Sequence, residues 1–210
     1  MKRVALIGLL SIAVTASMAV AVAGDKDKDK DKTAFKPGPA SSYPNAQTLD
    51  KITIAVVPYV TAEDAASAFG KADPYRYGIL PVLVVIENNT GKTLRLDLQA
   101  EYEEPGNQHL ESLPPGDVVL YGGAKKASWK VPTPIPLPIP RSSIKKGPLN
   151  TWEIEGRAFA AKLVPPGESA SGFFYFSVEH KPGSRLYLTG IKDAATGKDY
   201  FYFEVPFEKQ

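Results

Sequence analysis

The stretch from Arg157 to Val178, RAFAAKLVPPGESASGFFYFSV, restricts the fold more than any other part of the chain. Phe159, Ala161 and Leu163 alternate along an extended approach, and Pro165-Pro166-Gly167-Glu168 then breaks it. In the run that follows, Phe174, Phe176 and Val178 point one way, and Phe173, Tyr175 and Ser177 the other. A strand with two such faces must be covered on at least one, so other strands have to be built around it. The spacing predicts strand, tight turn, strand.

With 210 residues the chain is long enough for one domain and extras. Nineteen prolines and seventeen glycines among short apolar runs imply many turns and an all-β fold. There is no cysteine, which excludes disulfides, thiolate metal sites, cysteine nucleophiles and a lipidated N-terminal cysteine. The formal charge is +2, but without Lys2 and Arg3 the 25 basic residues fall to 23, equal to the 23 acidic ones. A neutral chain lacks the global field that draws nucleic acid or anionic membrane, so no nucleic-acid partner is expected.

Lys2 and Arg3 precede an apolar run from Val4 to Val22, and Ala21-Val22-Ala23 is an A-x-A cleavage pattern. Residues 1–23 therefore read as a secretory signal peptide, and an exported, periplasmic or extracellular protein is expected. The alternative is an uncleaved anchor, since a span needs about 17–25 apolar residues. Asp25 to Lys32 is (Asp-Lys)4, a self-neutralising solvated spacer. Residues 24–48 are expected to be a flexible linker, residues 49–208 the folded domain, and no membrane span is expected after signal removal.

Within the domain, Ile52, Ile54 and Val56 mark a first strand. Thr61-Ala62-Glu63-Asp64 fits a capping box for a short helix that stops at Gly70. Ile79 to Glu87 is apolar almost throughout, the pattern of a central strand covered on both faces. Asn88-Asn89-Thr90-Gly91 reads as a hairpin turn. Leu94, Leu96, Leu98 and Ala100 then face inward, with Arg95, Asp97, Gln99 and Glu101 outward. Val118 to Tyr121 reads as a short strand. In the last strand Phe201, Phe203, Val205 and Phe207 are expected to face inward, and Tyr200, Tyr202 and Glu204 outward. The clear runs add up to about seven strands, the number of an immunoglobulin-like antiparallel β-sandwich.

Val131 to Pro140 carries proline at every second position. A β-extended chain has period two, so all the proline nitrogens would face one edge and shield it from further pairing. The other readings are a plain exposed loop and a stiff arm that offers Ile135, Leu137 and Ile139 to a partner.

The segments GILPVLVVIENNTGKTLRLDL and LVPPGESASGFFYFSV, matching at Val82 to Gly91 and Pro166 to Phe176, resemble the immunoglobulin-like, telokin-type secreted domains of bacterial envelope proteins, whose function is unknown. The resemblance spans most of Leu49 to Phe207. It implies a fold and an exported location and brings no catalytic residues.

Motifs for chemistry are lacking. Gly167-Glu168-Ser169-Ala170-Ser171 fails the nucleophile-elbow pattern at its last position. The two histidines, His109 and His180, have no sequence-local partner, and both read as surface residues. Asp193 and Asp199 could approach a Ca²⁺ across their turn, but a solvated charged turn explains them as well. No catalytic, metal or cofactor residues are assigned, and no cofactor is expected. Tyr175, Tyr187, Tyr200 and Tyr202 remain as outward aromatics that could form a stripe for a protein or glycan of the cell envelope. The alternative is ordinary cross-strand pairing. The sequence thus points to an exported, non-enzymatic β-sandwich module. A periplasmic hydrolase or metal-dependent enzyme using His109 or His180 is the second reading, and a purely structural envelope component the third.

Overall fold

A computed structural model describes residues 35–121, 147–149 and 151–208. The expected leader, the Asp25–Lys32 run and the Val131–Pro140 segment with Ile135, Leu137 and Ile139 lie outside the described residues. Nine strands are present among those described: β1 Gln47–Leu49, β2 Ile52–Pro58, β3 Leu80–Asn88, β4 Leu94–Glu104, β5 Gln108–Glu111, β6 Leu163–Val164, β7 Ser169–Phe176, β8 Arg185–Asp193 and β9 Tyr202–Pro206. They form two sheets, β1-β2-β3-β7 and β5-β4-β8-β9, with β6 also paired to β4, and every strand pair is antiparallel. The fold is an all-β sandwich. The strands that were not expected are β1 and β5, only three and four residues long, while the expected approach strand before Pro165 shrinks to the two residues of β6.

Each sheet has a distinct environment, and the side-chain patterns explain why. In β3 all residues but Glu87 are buried. Val82, Val84 and Ile86 pack into the core between the sheets, beside Ile52, Ile54, Leu94, Tyr102, Leu188 and Val205. Leu83 and Val85 pack on the opposite side with Phe173 and Tyr175 of β7. That second face is covered by helices α1 Ala62–Phe69, α2 Pro115–Tyr121 and α3 Trp152–Gly156, through Phe69, Val118 and Ile154. The first sheet is therefore enclosed twice. The second sheet, whose β4 alternates strictly between Leu94 and Asp97, is packed on one face only among the described residues.

The α1 expectation holds in detail. The Asp64 N–H donates to Thr61 Oγ1 at 3.1 Å, and Gly70 ends the helix at φ 65°. The second helix replaces an expected strand. Val118 to Tyr121 is helical because Pro115 occupies the first turn, where its missing N–H is harmless, and Asp117 suits that end electrostatically. Trp152 to Gly156 forms the single short helix that buries Ile154.

Two expected hairpins are instead corners between the sheets. Pro165 to Glu168 leads from β6, in the second sheet, to β7, in the first. Residues 89–93 lead from β3 to β4 in the same way. Both corners meet on Asn88, which is fully buried. Its Nδ2 donates to the carbonyls of Lys92 (2.7 Å), Val164 (2.9 Å) and Pro165 (3.1 Å), while its Oδ1 accepts from Thr90 N and Oγ1. The Gly167 N–H donates to the Asn88 carbonyl at 2.7 Å. Ahead of β6, the chain lies against β7 rather than forming its own strand. Phe159 N donates to the Phe173 carbonyl, and a Cβ on Gly172 would fall 2.4 Å from Phe159 Cα.

The linker expected up to residue 48 gives way to folded chain from Phe35 onward. The Phe35 ring sits 5.5 Å from that of Phe173 and 6.2 Å from that of Tyr59, and Ala40 is fully buried. Asn45 Nδ2 donates to Val56 O of β2 and Pro206 O of β9, joining the two sheets. Polar composition suggested a spacer, but aromatic and amide contacts too distant in sequence to be read there hold this stretch.

Candidate functional site

The face of the second sheet turned away from the core is the candidate site, since no described element covers it. Register places its residues in rows. Glu103 lies between His109 and Arg185, and Glu101 between Glu111 and Tyr187, with Glu204 beyond Tyr187. Gln99, Thr189 and Tyr202 form the next row.

An aromatic ladder runs diagonally across these rows. The Tyr187 and Tyr202 rings stack at 5.1 Å and 26°. The His109 imidazole meets Tyr187 edge-on at 5.9 Å and 82°. A carboxylate only accepts, so His109 Nδ1 donates to Glu101 Oε2, at 2.9 Å. Arg185 and Glu204 form a looser pair at 3.5 Å. Such exposed pairs contribute about 0–1 kcal/mol each, and the stacked rings about 0.5–1.5 kcal/mol. These contacts fix the side chains relative to one another.

Four tyrosines were expected on one face, and the structure brings two of them there. Tyr175 is fully buried on the helix-covered face of the first sheet. Its hydroxyl donates to Ile154 O at 2.7 Å, and burial pushes its phenol far above the usual range. Tyr200 turns inward and joins the inter-sheet core, with Lys198 Nζ 5.7 Å from its ring centroid. The cause is Phe201, which adopts φ 64° and so breaks the alternation on which the expectation rested. Phe201, expected inside, is 77% exposed, and Tyr202 is 51% exposed beside it. Asp199 Oδ1 accepts from Phe201 N at 2.9 Å, and this aspartate two residues upstream is the local signal for the reversal. His109 joins the ladder through a strand pairing that its own neighbours do not reveal.

His180 is half-buried instead of lying at the surface. Its ring packs edge-on against Phe207 at 5.4 Å and against Tyr102 at 6.3 Å. The Tyr102 hydroxyl is the hub there: it donates to Ser184 Oγ (2.8 Å), accepts from Lys181 N (3.0 Å) and lies 3.2 Å from His180 Nδ1. Burial lowers the His180 pKa below its ordinary 6.5, with Glu208 opposing weakly. His109 and His180 have separate sets of contacts and do not share a site. Close to the His180 turn, a groove of about 400 Å³ is lined by Glu104, Gln108, Leu110, Val178, Glu179 and Lys181.

Asp193 and Asp199 do not converge. The Asp193 side chain is almost wholly buried; Oδ2 accepts from Lys92 Nζ at 2.8 Å and Oδ1 from the N–H groups of Ala195 and Thr196. The Lys92 ammonium and the turn amides hold its carboxyl well below the usual carboxylate range. Asp199 faces Lys192 at 3.8 Å. Among the described residues no group of three or more His, Asp and Glu side chains is placed to hold a metal ion, and no helix is long and apolar enough to cross a membrane.

No family model and no curated protein matches the chain. The solved structures that are similar in shape at a low level include the following two. One is a putative lipoprotein from Bacillus subtilis, at 11% identity and a TM-score of 0.33, with 76% of this chain covered. This chain spans only 38% of the length of that one. The other is a secreted protein from Mycobacterium tuberculosis, also at 11% identity and a TM-score of 0.33, with 80% of this chain and 95% of the other covered. The fold assignment rests on the two sheets themselves.

Proposed function

We propose that this protein is an exported, non-enzymatic binding module of the immunoglobulin-like, telokin-type plan, and that it contacts a protein of the cell envelope through the outer face of its second sheet. The observation that carries this reading is the Tyr187–Tyr202 stack, preassembled on that open face with Phe201 exposed next to it. Tyrosine supplies apolar area and a hydroxyl at low entropic cost, which suits a protein contact. A protein is favoured over a glycan because the two rings stack on each other. Their facing surfaces are occupied, and edges and hydroxyls are what they offer. Export is supported by the leader pattern of residues 1–23, and the non-enzymatic reading by the separate surroundings of His109 and His180.

The test is affinity capture from native envelope extract with the chain from Gly24 as bait. A Tyr187→Ser/Tyr202→Ser variant and a variant lacking Val131 to Pro140 are run beside it. The expected result is a protein retained by the parent chain and lost by the double tyrosine variant. Equal capture by both would overturn the assignment of this face. Loss only with the deletion would move the contact to the Ile135, Leu137 and Ile139 arm.

A further inference from the structure

We infer that the outer face of the second sheet receives a positively charged side chain, a lysine or arginine of the partner, at Glu103; this rests on the reading of that face as a protein contact. Glu103 is 8% exposed, and its Oε2 is buried with no hydrogen-bond partner. The two groups flanking it in register could each have satisfied it, but both lean away. His109 reaches along the sheet to Glu101, and Arg185 reaches to Glu204. Among the described residues Glu111, directly opposite Glu101, has no partner either.

Rearranging side chains within the face does not remove this imbalance. If Arg185 swung onto Glu103, Glu204 would be left alone. Four carboxylates, those of Glu101, Glu103, Glu111 and Glu204, share one guanidinium and one imidazole whichever way they pair. An unpaired buried carboxylate is costly, and a cation brought by a partner would relieve that cost. The charge of this face thus selects a basic partner, and the Tyr187 hydroxyl in the adjacent row can accept a hydrogen bond from the same group.

The test is a titration of the ¹⁵N-labelled chain from Gly24 with acetylated hexa-arginine, followed by amide shifts. Shifts centred on β4 and β8 around Glu103 and Tyr187 are expected, with an affinity that falls as salt is raised. Glu103→Gln, which preserves shape, should weaken binding by about tenfold. Asp97→Asn removes the same formal charge from an exposed position further along the strand and should leave binding unchanged. Parent-like binding by Glu103→Gln, equal weakening by Asp97→Asn, or no binding at all would each overturn the inference. So would calcium chloride producing the same shifts at lower concentration, because the group received would then be a metal ion. If the peptide fails to bind while capture from extract still depends on Tyr187 and Tyr202, the protein contact stands and only its cationic chemistry falls.

Discussion

Asn88 joins elements that its neighbours in sequence do not connect. One buried amide group satisfies carbonyls at both inter-sheet corners, so its loss leaves several polar groups buried and unpaired. Asn88→Ala is expected to destabilise the fold by about 3 kcal/mol in chemical denaturation, with the loss spread over both corners in hydrogen exchange. His180 makes a pH-dependent contribution whose sign follows from its lowered pKa. Above pH 6.5 it is neutral in folded and unfolded chains alike. As the pH falls below that value the unfolded chain takes up the proton first, so stability is lost through the folded-state value. The parent protein should therefore lose more stability than His180→Gln between pH 7 and pH 5, as read by denaturant midpoints at each pH. Parallel curves for the two proteins would refute this account.

Among the elements, strands were legible wherever side-chain alternation reported burial, and illegible where a single backbone angle reset the phase. In β8, Leu186 and Leu188 face the core and so does Ile191, three residues on. The shift occurs at Gly190, opposite the extra residue of β4 between Leu96 and Gln99. Gly190 has φ 87°, and a Cβ there would lie 2.0 Å from Asp97 O. Gly190→Ala is expected to cost about 3 kcal/mol or more by thermal or chemical unfolding. Phe201 stores strain in the same left-handed region while exposing its ring. Phe201→Asn, compatible with that region, should raise stability by about 1 kcal/mol. An unchanged or lower midpoint would show that the Phe201 ring makes compensating contacts.

For the molecule as a whole, function follows from which sheet faces are already used. The first sheet has helices on one side and the second sheet on the other, so among the described residues one sheet face is left uncovered. Tyrosines on the two sheets should behave in opposite ways. Tyr187→Ser/Tyr202→Ser is expected to change stability by about 1 kcal/mol, since only a surface stack is lost. Tyr175→Ser, which empties a buried site, should cost about 3–5 kcal/mol. Thermal unfolding of both variants separates the two roles, and a severe loss in the double variant would mean that this face belongs to the core.

The division between what was legible and what was not follows the range of the interactions. Short-range physics, read from the residues alone, determined the all-β class, the Thr61-capped helix, the doubly buried β3 and the open outer side of β4. Each of these depends on periodicity or on a cap within a few residues. The tertiary structure alone decided which strands pair. It turned the Asn88 and Pro165 turns into corners, drew Phe35 to Ala46 into the fold, buried Tyr175 and Tyr200, and set Glu103 between two groups that pair elsewhere. Those outcomes depend on contacts between residues tens of positions apart. A period-two pattern shows that a side chain faces a partner, but it does not show which partner that is.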